Sequence, residues 1–338
     1  MPAISSTAAW NESSRLSLPH RITLLVMRIP PCLLMVLSAV AWAQTPRIFY
    51  LPKPITSTPY RPPMKPLTRL ADLKAKHYGN TNWSELVIDD GNTRACVISA
   101  APGSKVARHL YPDSPAWWVV QEGRIRFDIE TPKGWKSFEA RKGSYVFAPE
   151  RHLHSLEVVG SEPAIRLEVT LAETTPVFES KPENVGRGEI EYIPITLSTG
   201  VNPDDVPNNN PAGDRIHVNI EDLEAAHQGQ SAWSEPAQRK NRVRGNFIYG
   251  HERDNPKRAP GYRGHMHADF AEFWIVLRGK LQWIMEGIDR PVIAQEGDIV
   301  YAPPKTFHIP EFLGDGPACR LTSSTYPSAN HIFDAPRK

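Results

Sequence analysis

Two stretches near the carboxy terminus decide the fold, GHMHADFAEFWIVLRG at residues 264–279 and GDIVYAPPKTFHIPEF at residues 297–312. The first sets His265 and His267 on alternate positions, then Glu272 after four residues and Gly279 after six more. The second runs from Gly297 through Pro303 to His308. Alternate side chains of a β-strand share a face, so His265 and His267 point the same way, and Glu272 and His308 can complete the set from neighbouring strands. Three imidazoles and one carboxylate suit a divalent transition ion. Imidazole favours zinc, copper, iron and nickel, the carboxylate extends the range to manganese, and four protein ligands leave room for water or substrate.

These two stretches resemble the motifs of the cupin family, G-x5-H-x-H-x3-4-E-x6-G and G-x5-P-x-G-x2-H-x3-N. All four ligand positions are filled. The departures fall on turn positions: Ala259 stands where the first glycine is expected, with Gly261 close by, Lys305 replaces the second-motif glycine, and Phe312 replaces the closing asparagine. The resemblance implies a jelly-roll barrel with metal ligands His265, His267, Glu272 and His308.

An internal repeat implies two such barrels. DLKAKHYGNTNWSE at residues 72–85 matches DLEAAHQGQSAWSE at residues 222–235. Trp118 and Gly123 align with Trp274 and Gly279, and Gly143, Ala148, Pro149 and His154 with Gly297, Ala302, Pro303 and His308. A period this long is a duplicated domain rather than a solenoid. The expected fold is therefore all-β, two tandem cupin barrels in one chain, a bicupin. Strand alternation at Ile125-Arg-Phe-Asp-Ile and Leu281-Gln-Trp-Ile-Met agrees with it. Short helical turns are expected at Asp72 to Lys76 and Glu221 to Ala226.

The amino-terminal copy has lost part of its site. It keeps His109 and His154 but carries Tyr111 for the second histidine and Ala116 for the glutamate, so it lacks the one anionic ligand. This half is expected to be structural or a metal-free pocket, with rescue of a weaker site by His152 or Tyr111 as the alternative.

Outward from the repeats, the chain opens with Arg15, Arg21 and Arg28, an apolar run from Cys32 to Ala43, and Ala41-Trp42-Ala43 before Gln44. That describes a cleaved secretory signal, since the run falls short of the roughly 20 residues that span a bilayer. Export to the periplasm or exterior follows, with either Met1 or Met27 as the start. Removing residues 1–43 takes away three arginines and Glu12 and leaves a neutral chain of 295 residues. Such a chain offers no electrostatic case for nucleic acid or an anionic membrane. The expected domains are a signal peptide at 1–43, an extended proline-rich arm at 44–66 lying along the other barrel, a degenerate cupin at 67–171, a linker at 172–215 around one strand from Glu189 to Thr196, and a metal-binding cupin at 216–331. Of three cysteines, Cys96 and Cys319 survive processing, and two separately buried thiols are expected rather than a disulfide framework.

Strand parity extends the site. If Glu272 faces the interior, so do Trp274 and Val276, whereas Phe273, Ile275 and Leu277 face away. Apolar residues on both faces require the outer face to be covered, by the other half or by a second subunit. Trp274, Tyr301 and Arg320 are candidate substrate-binding residues, Arg320 as a clamp for a carboxylate, and Trp283 is a conditional aromatic wall. Glu272 is also the candidate catalytic proton acceptor. The resemblance implies a metal-dependent enzyme acting on a small molecule, with one divalent ion (Fe, Mn, Cu, Ni or Zn). The cupins of this arrangement include aromatic dioxygenases, oxalate decarboxylases, isomerases and lyases. The leading expectation is an oxidoreductase of dioxygenase type. The alternatives are non-redox lyase, decarboxylase or isomerase chemistry, and a non-enzymatic metal- or small-molecule-binding protein. Homo-oligomerisation is left open.

Overall fold

The computed structural model describes residues 58–131, 133–179, 215–240, 243–325 and 331–334, all within one compact unit that runs from Lys53 to Lys338. The expected signal peptide, the first part of the proline-rich arm and the strand from Glu189 to Thr196 lie outside them. Among the described residues the chain forms two jelly-roll barrels, each a six-stranded sheet facing a five-stranded one.

The two barrels repeat the same strand order. The amino-terminal large sheet runs His217–Asn219, Ser144–Ala148, Ala116–Glu122, Ala164–Leu171, Thr93–Ala100, Trp83–Asp89. The carboxy-terminal one runs Leu67–Thr68, Ile299–Ala302, Glu272–Arg278, Ala318–Ser324, Val243–Gly250, Trp233–Lys240. Each sheet is therefore completed by the segment that leads into the other repeat. Leu67 and Thr68 pair with Val300 and Ile299, while His217 to Asn219 pair with Val146 to Ser144.

The helices that follow these leaders, Leu70–Lys76 and Ile220–Ala226, are anchored in the same reciprocal way. Each buries an apolar pair three residues apart, Leu70 with Leu73 and Ile220 with Leu223, on one helical face. Asn219 caps its own helix by accepting from the Glu221 amide, whereas Arg69 supplies no side-chain cap. There the carboxylate of Asp298, from the carboxy-terminal barrel, accepts the Leu70 amide at 3.0 Å instead. The proline-rich arm reaches the same barrel. Thr58 Oγ1 donates to the Pro304 carbonyl at 2.7 Å and the Tyr60 hydroxyl to that of Tyr301 at 3.0 Å.

Parity then separates one shared core from two private ones. Phe273, Ile275, Ile299 and Tyr301 pack in a single cluster with Trp117, Val119, Tyr145 and Phe147 of the other barrel. Trp274, Val276 and Trp283 fill the interior of their own barrel, and Trp118, Val120 and Phe127 fill the other. The outer face is thus covered by the second repeat. At roughly 1.5–3 kcal/mol for each large apolar side chain buried, this shared layer makes the two halves one cooperative body. Cys96 and Cys319 are free thiols on separate strands, and burial raises both. No helix among the described residues is long and apolar enough to cross a membrane.

Candidate metal centre

The four ligand positions meet at one end of the carboxy-terminal barrel. His265 lies directly across from His308 in the small sheet, and Glu272 opens the adjoining strand of the large sheet, opposite Ala302. Their ligand atoms all fall within 4.8 Å of one another. Glu272 Oε2 stands 3.0 Å from His267 Nε2, 3.0 Å from His308 Nε2 and 3.9 Å from His265 Nε2. Ligands about 2.1 Å from a common ion lie at most about 4.2 Å apart, so the three separations from Glu272 fit one transition ion, and any pair at the 4.8 Å limit would draw together by about 0.6 Å on binding it.

Local backbone explains why the strands come so close. Gly264 has φ +90°, and a β-carbon there would overlap the His308 carbonyl oxygen, so only glycine lets the His265 strand approach. It does the close-approach work that Ala259 cannot. Lys305, at the second motif's glycine position, keeps the left-handed turn with φ 65° and donates its amide to the His267 carbonyl at 2.6 Å. The amino-terminal copy does the same with Arg151, φ 62°, whose amide donates to Tyr111 at 2.8 Å. The non-glycine turn is thus shared by both repeats. Phe312, in the asparagine's place, packs against Gly250, where an added β-carbon would come within 2.6 Å of the ring.

The electrostatics favour a cation. Burial alone would raise the Glu272 carboxyl, but hydrogen bonds from His265, His267 and His308 hold it well below its ordinary value. Burial lowers His265 as well, which keeps it neutral and able to ligate. The Nδ1–H of His308 is placed to donate to the Thr306 carbonyl at 2.9 Å, which leaves Nε2 facing the centre. The His267 and His308 side chains are 1% exposed, Glu272 8% and His265 19%, so the centre opens to solvent on the His265 side.

The remaining candidates separate. Trp274 is buried beside His308, with ring centroids 5.1 Å apart, and Trp283 lies behind it at 5.6 Å. Arg320 projects into the same interior, 5.5 Å from the Phe312 ring, and its Nε and Nη1 have no hydrogen-bond partner among the described residues. Burial pulls it down to about 10, although the nearby Glu272 acts the other way. Tyr301 does not reach the centre. It pairs with Phe273, on the opposite face from Glu272, and its hydroxyl donates to Asp90 of the other barrel at 3.0 Å. It belongs to the shared core, because the tyrosine follows the parity of its partner strand.

One neighbour escaped the sequence reading. His331 precedes the terminal strand Ile332–Phe333, and its ring lies 4.6 Å from His265 and 4.9 Å from His267. Burial and those two histidines bring it down to about 4, so it is neutral at neutral pH. The available signal was His-Ile-Phe-Asp at 331–334, which repeats Pro-Val-Phe-Glu at 176–179.

At the matching place in the amino-terminal barrel, His109 and His154 lie 4.3 Å apart, with Tyr111 and Phe178 5.5 and 5.3 Å from His109. Burial drives His154 down to about 3 and lowers His109. Among the described residues the only cluster of three or more potential ligands is the one in the carboxy-terminal barrel.

Residues 256–324 match the family model for the cupin domain, and the carboxy-terminal barrel is a cupin domain. No curated protein sequence matches the chain. Among solved structures, an oxalate decarboxylase aligns over 83% of this chain and 81% of its own, at 17% identity and a TM-score of 0.48. The Bacillus subtilis oxalate decarboxylase studied for its Mn(II) centres aligns over the same shares at 16% identity and 0.48. The same enzyme at pH 4.6 covers 83% and 80%, at 16% identity and 0.47.

Proposed function

We propose that this is an exported, metal-dependent cupin enzyme, an oxidoreductase of dioxygenase type acting on a small aromatic, enol or carboxylate substrate. The observation that carries this reading is the convergence of three imidazoles and one carboxylate in one barrel of the two, with an opening on the His265 side. A divalent transition ion held there supplies Lewis acidity and, if redox-active, electron exchange with dioxygen. The chain's own groups do the rest. Trp274 offers an aromatic floor beside His308, the buried interior excludes water, and Glu272 would accept the substrate's proton only when its bond to the ion loosens, since its histidine neighbours otherwise hold it well below its ordinary value. A second reading, non-redox lyase or decarboxylase chemistry, is favoured by Arg320, whose unpaired donors near Glu272 suit charge developing on an anion.

The test is elemental analysis of protein purified without added metal, then oxygen uptake with flavonols, catechols and 1,3-diketones. One ion per chain is expected, lost in His265→Ala and Glu272→Ala, with oxygen consumed during turnover. Metal unaffected by both substitutions would remove the site, and turnover under strict anaerobiosis would select the second reading. Amino-terminal sequencing of the exported protein should begin at Gln44.

A further inference from the structure

Both barrels end in a short strap that crosses the mouth of the site. In the amino-terminal barrel, Val177 and Phe178 pair with Leu110 and His109. In the carboxy-terminal barrel, Ile332 and Phe333 pair with Met266 and His265. The anchors correspond too. The Glu179 amide donates to the Arg108 carbonyl at 3.1 Å and the Asp334 amide to that of Gly264 at 2.8 Å. An arginine holds each acid, Arg108 to Glu179 at 3.1 Å and Arg263 to Asp334 at 2.9 Å. The strap is therefore a duplicated structural element, and a difference between its copies is a difference of chemistry.

Ile332 for Val177 and Asp334 for Glu179 keep the residue type, so the change of chemistry falls at one position. Where the amino-terminal strap carries Pro176, the carboxy-terminal one carries His331. The histidine occurs in the barrel that also has His267 for Tyr111 and Glu272 for Ala116. It stands over His265 and His267, at the one ligand with appreciable exposure, and outside the four residues whose ligand atoms converge. Its ring is as near to those two as the ligand rings are to one another, at 4.5–5.6 Å, but its nitrogens are not among the four ligand atoms that converge, which leaves it beside the exposed edge of His265 where a further ligand would sit.

We propose that His331 is a substrate-contacting residue: held by the terminal strap, it hydrogen-bonds the small anionic or oxygen-bearing ligand that occupies the open side of the metal centre. This rests on the four-ligand reading above and adds to it the group that recognises the ligand.

The probe is azide, a small anion, titrated into cobalt(II)-loaded full-length protein and followed by the visible cobalt bands, with cobalt content measured in parallel. His331→Ala and the space-filling His331→Phe should both keep one cobalt per chain and weaken azide binding about five- to tenfold, the loss of one hydrogen bond. His331→Gln, which keeps an N–H donor, should recover part of the affinity. Unchanged azide affinity in both variants overturns the proposal. So does loss of cobalt from the variants, which would make His331 a ligand instead. A wild-type protein that takes up no cobalt would fail before azide is added, and that result would count against the four-ligand centre itself.

Discussion

The two barrels share strand order, leader segments, left-handed turns and straps, yet only one brings three nitrogens and an oxygen together. The amino-terminal barrel keeps two of its imidazoles and fills the rest of the space with Tyr111, Ala116 and Phe178. A jelly roll therefore does not need the metal group to hold its shape, and the site is an addition to a scaffold that stands without it. What the addition demands is closer approach of strands. Gly264 in the carboxy-terminal barrel aligns with Arg108 in the other, so the requirement for glycine travels with the site and not with the fold.

The harshest break of this comparison is Gly264→Ala. The backbone there lies at φ +90° and the added carbon meets the His308 carbonyl, so the variant should lose on the order of 3 kcal/mol and its metal together. Gly103→Ala is the control, at φ +76° with nothing within 4 Å, and should cost only about 1 kcal/mol and leave metal content alone. Urea denaturation and elemental analysis of both would decide it. Equal costs would mean the close approach of the His265 strand is not what Gly264 provides.

Most of this architecture was legible in the sequence, and the reasons are physical. Period-two alternation fixed which face of Glu272 to Arg278 turned inward, and the duplicated Trp-Ser-Glu segments marked corresponding places, now seen as Trp83 stacked on His77 and Trp233 on His227. What the sequence hid depends on contacts between strands distant in the chain. Tyr301 was misplaced because its face is set by pairing with Phe273, and His331 was missed because its strap follows the last motif. Val177 and Phe178, read as linker, form the other strap for the same reason.

A smaller effect separates the barrels by acid response. His154 is neutral in the folded protein down to about pH 3, whereas an unfolded histidine protonates near pH 6.5. Below pH 6.5 the unfolded chain thus binds the extra proton, and stability falls until the folded pKa is reached. Glu272 acts in the same direction but in a lower window. Its folded carboxyl is held below the ordinary value of 4.5, so its contribution is present above that pH and declines beneath it. Metal-free protein should accordingly lose about 2–3 kcal/mol between pH 7 and 4.5 through His154. His154→Leu should remove that share of the fall, leaving the part that His331, His265 and His109 contribute over the same range and the drop below pH 4.5 in place. Urea denaturation across this range checks it, and an unchanged slope would show that His154 does not set the amino-terminal barrel's acid response.

The subtlest contrast concerns the two buried arginines. Arg166 Nε donates to Glu168 at 3.2 Å, and the same carboxylate accepts from Trp118 Nε1 at 2.9 Å, so the amino-terminal barrel satisfies its own cation. In the carboxy-terminal barrel the position of Glu168 is Thr322, whose hydroxyl, like Arg320 Nε and Nη1, meets no partner among the described residues. A buried guanidinium without a carboxylate is costly and is relieved by any anion that reaches it. Thr322→Glu supplies that anion from the chain itself. The gain of a charge-assisted hydrogen bond, set against burying a second charge, should raise stability by about 1 kcal/mol at neutral pH, measurable by thermal unfolding. Metal content should stay at one ion per chain, while turnover of carboxylate substrates should fall as the new side chain occupies their place. A loss of stability instead would mean that Arg320 is already compensated, and its difference from Arg166 would then be one of packing and not of ligand recognition.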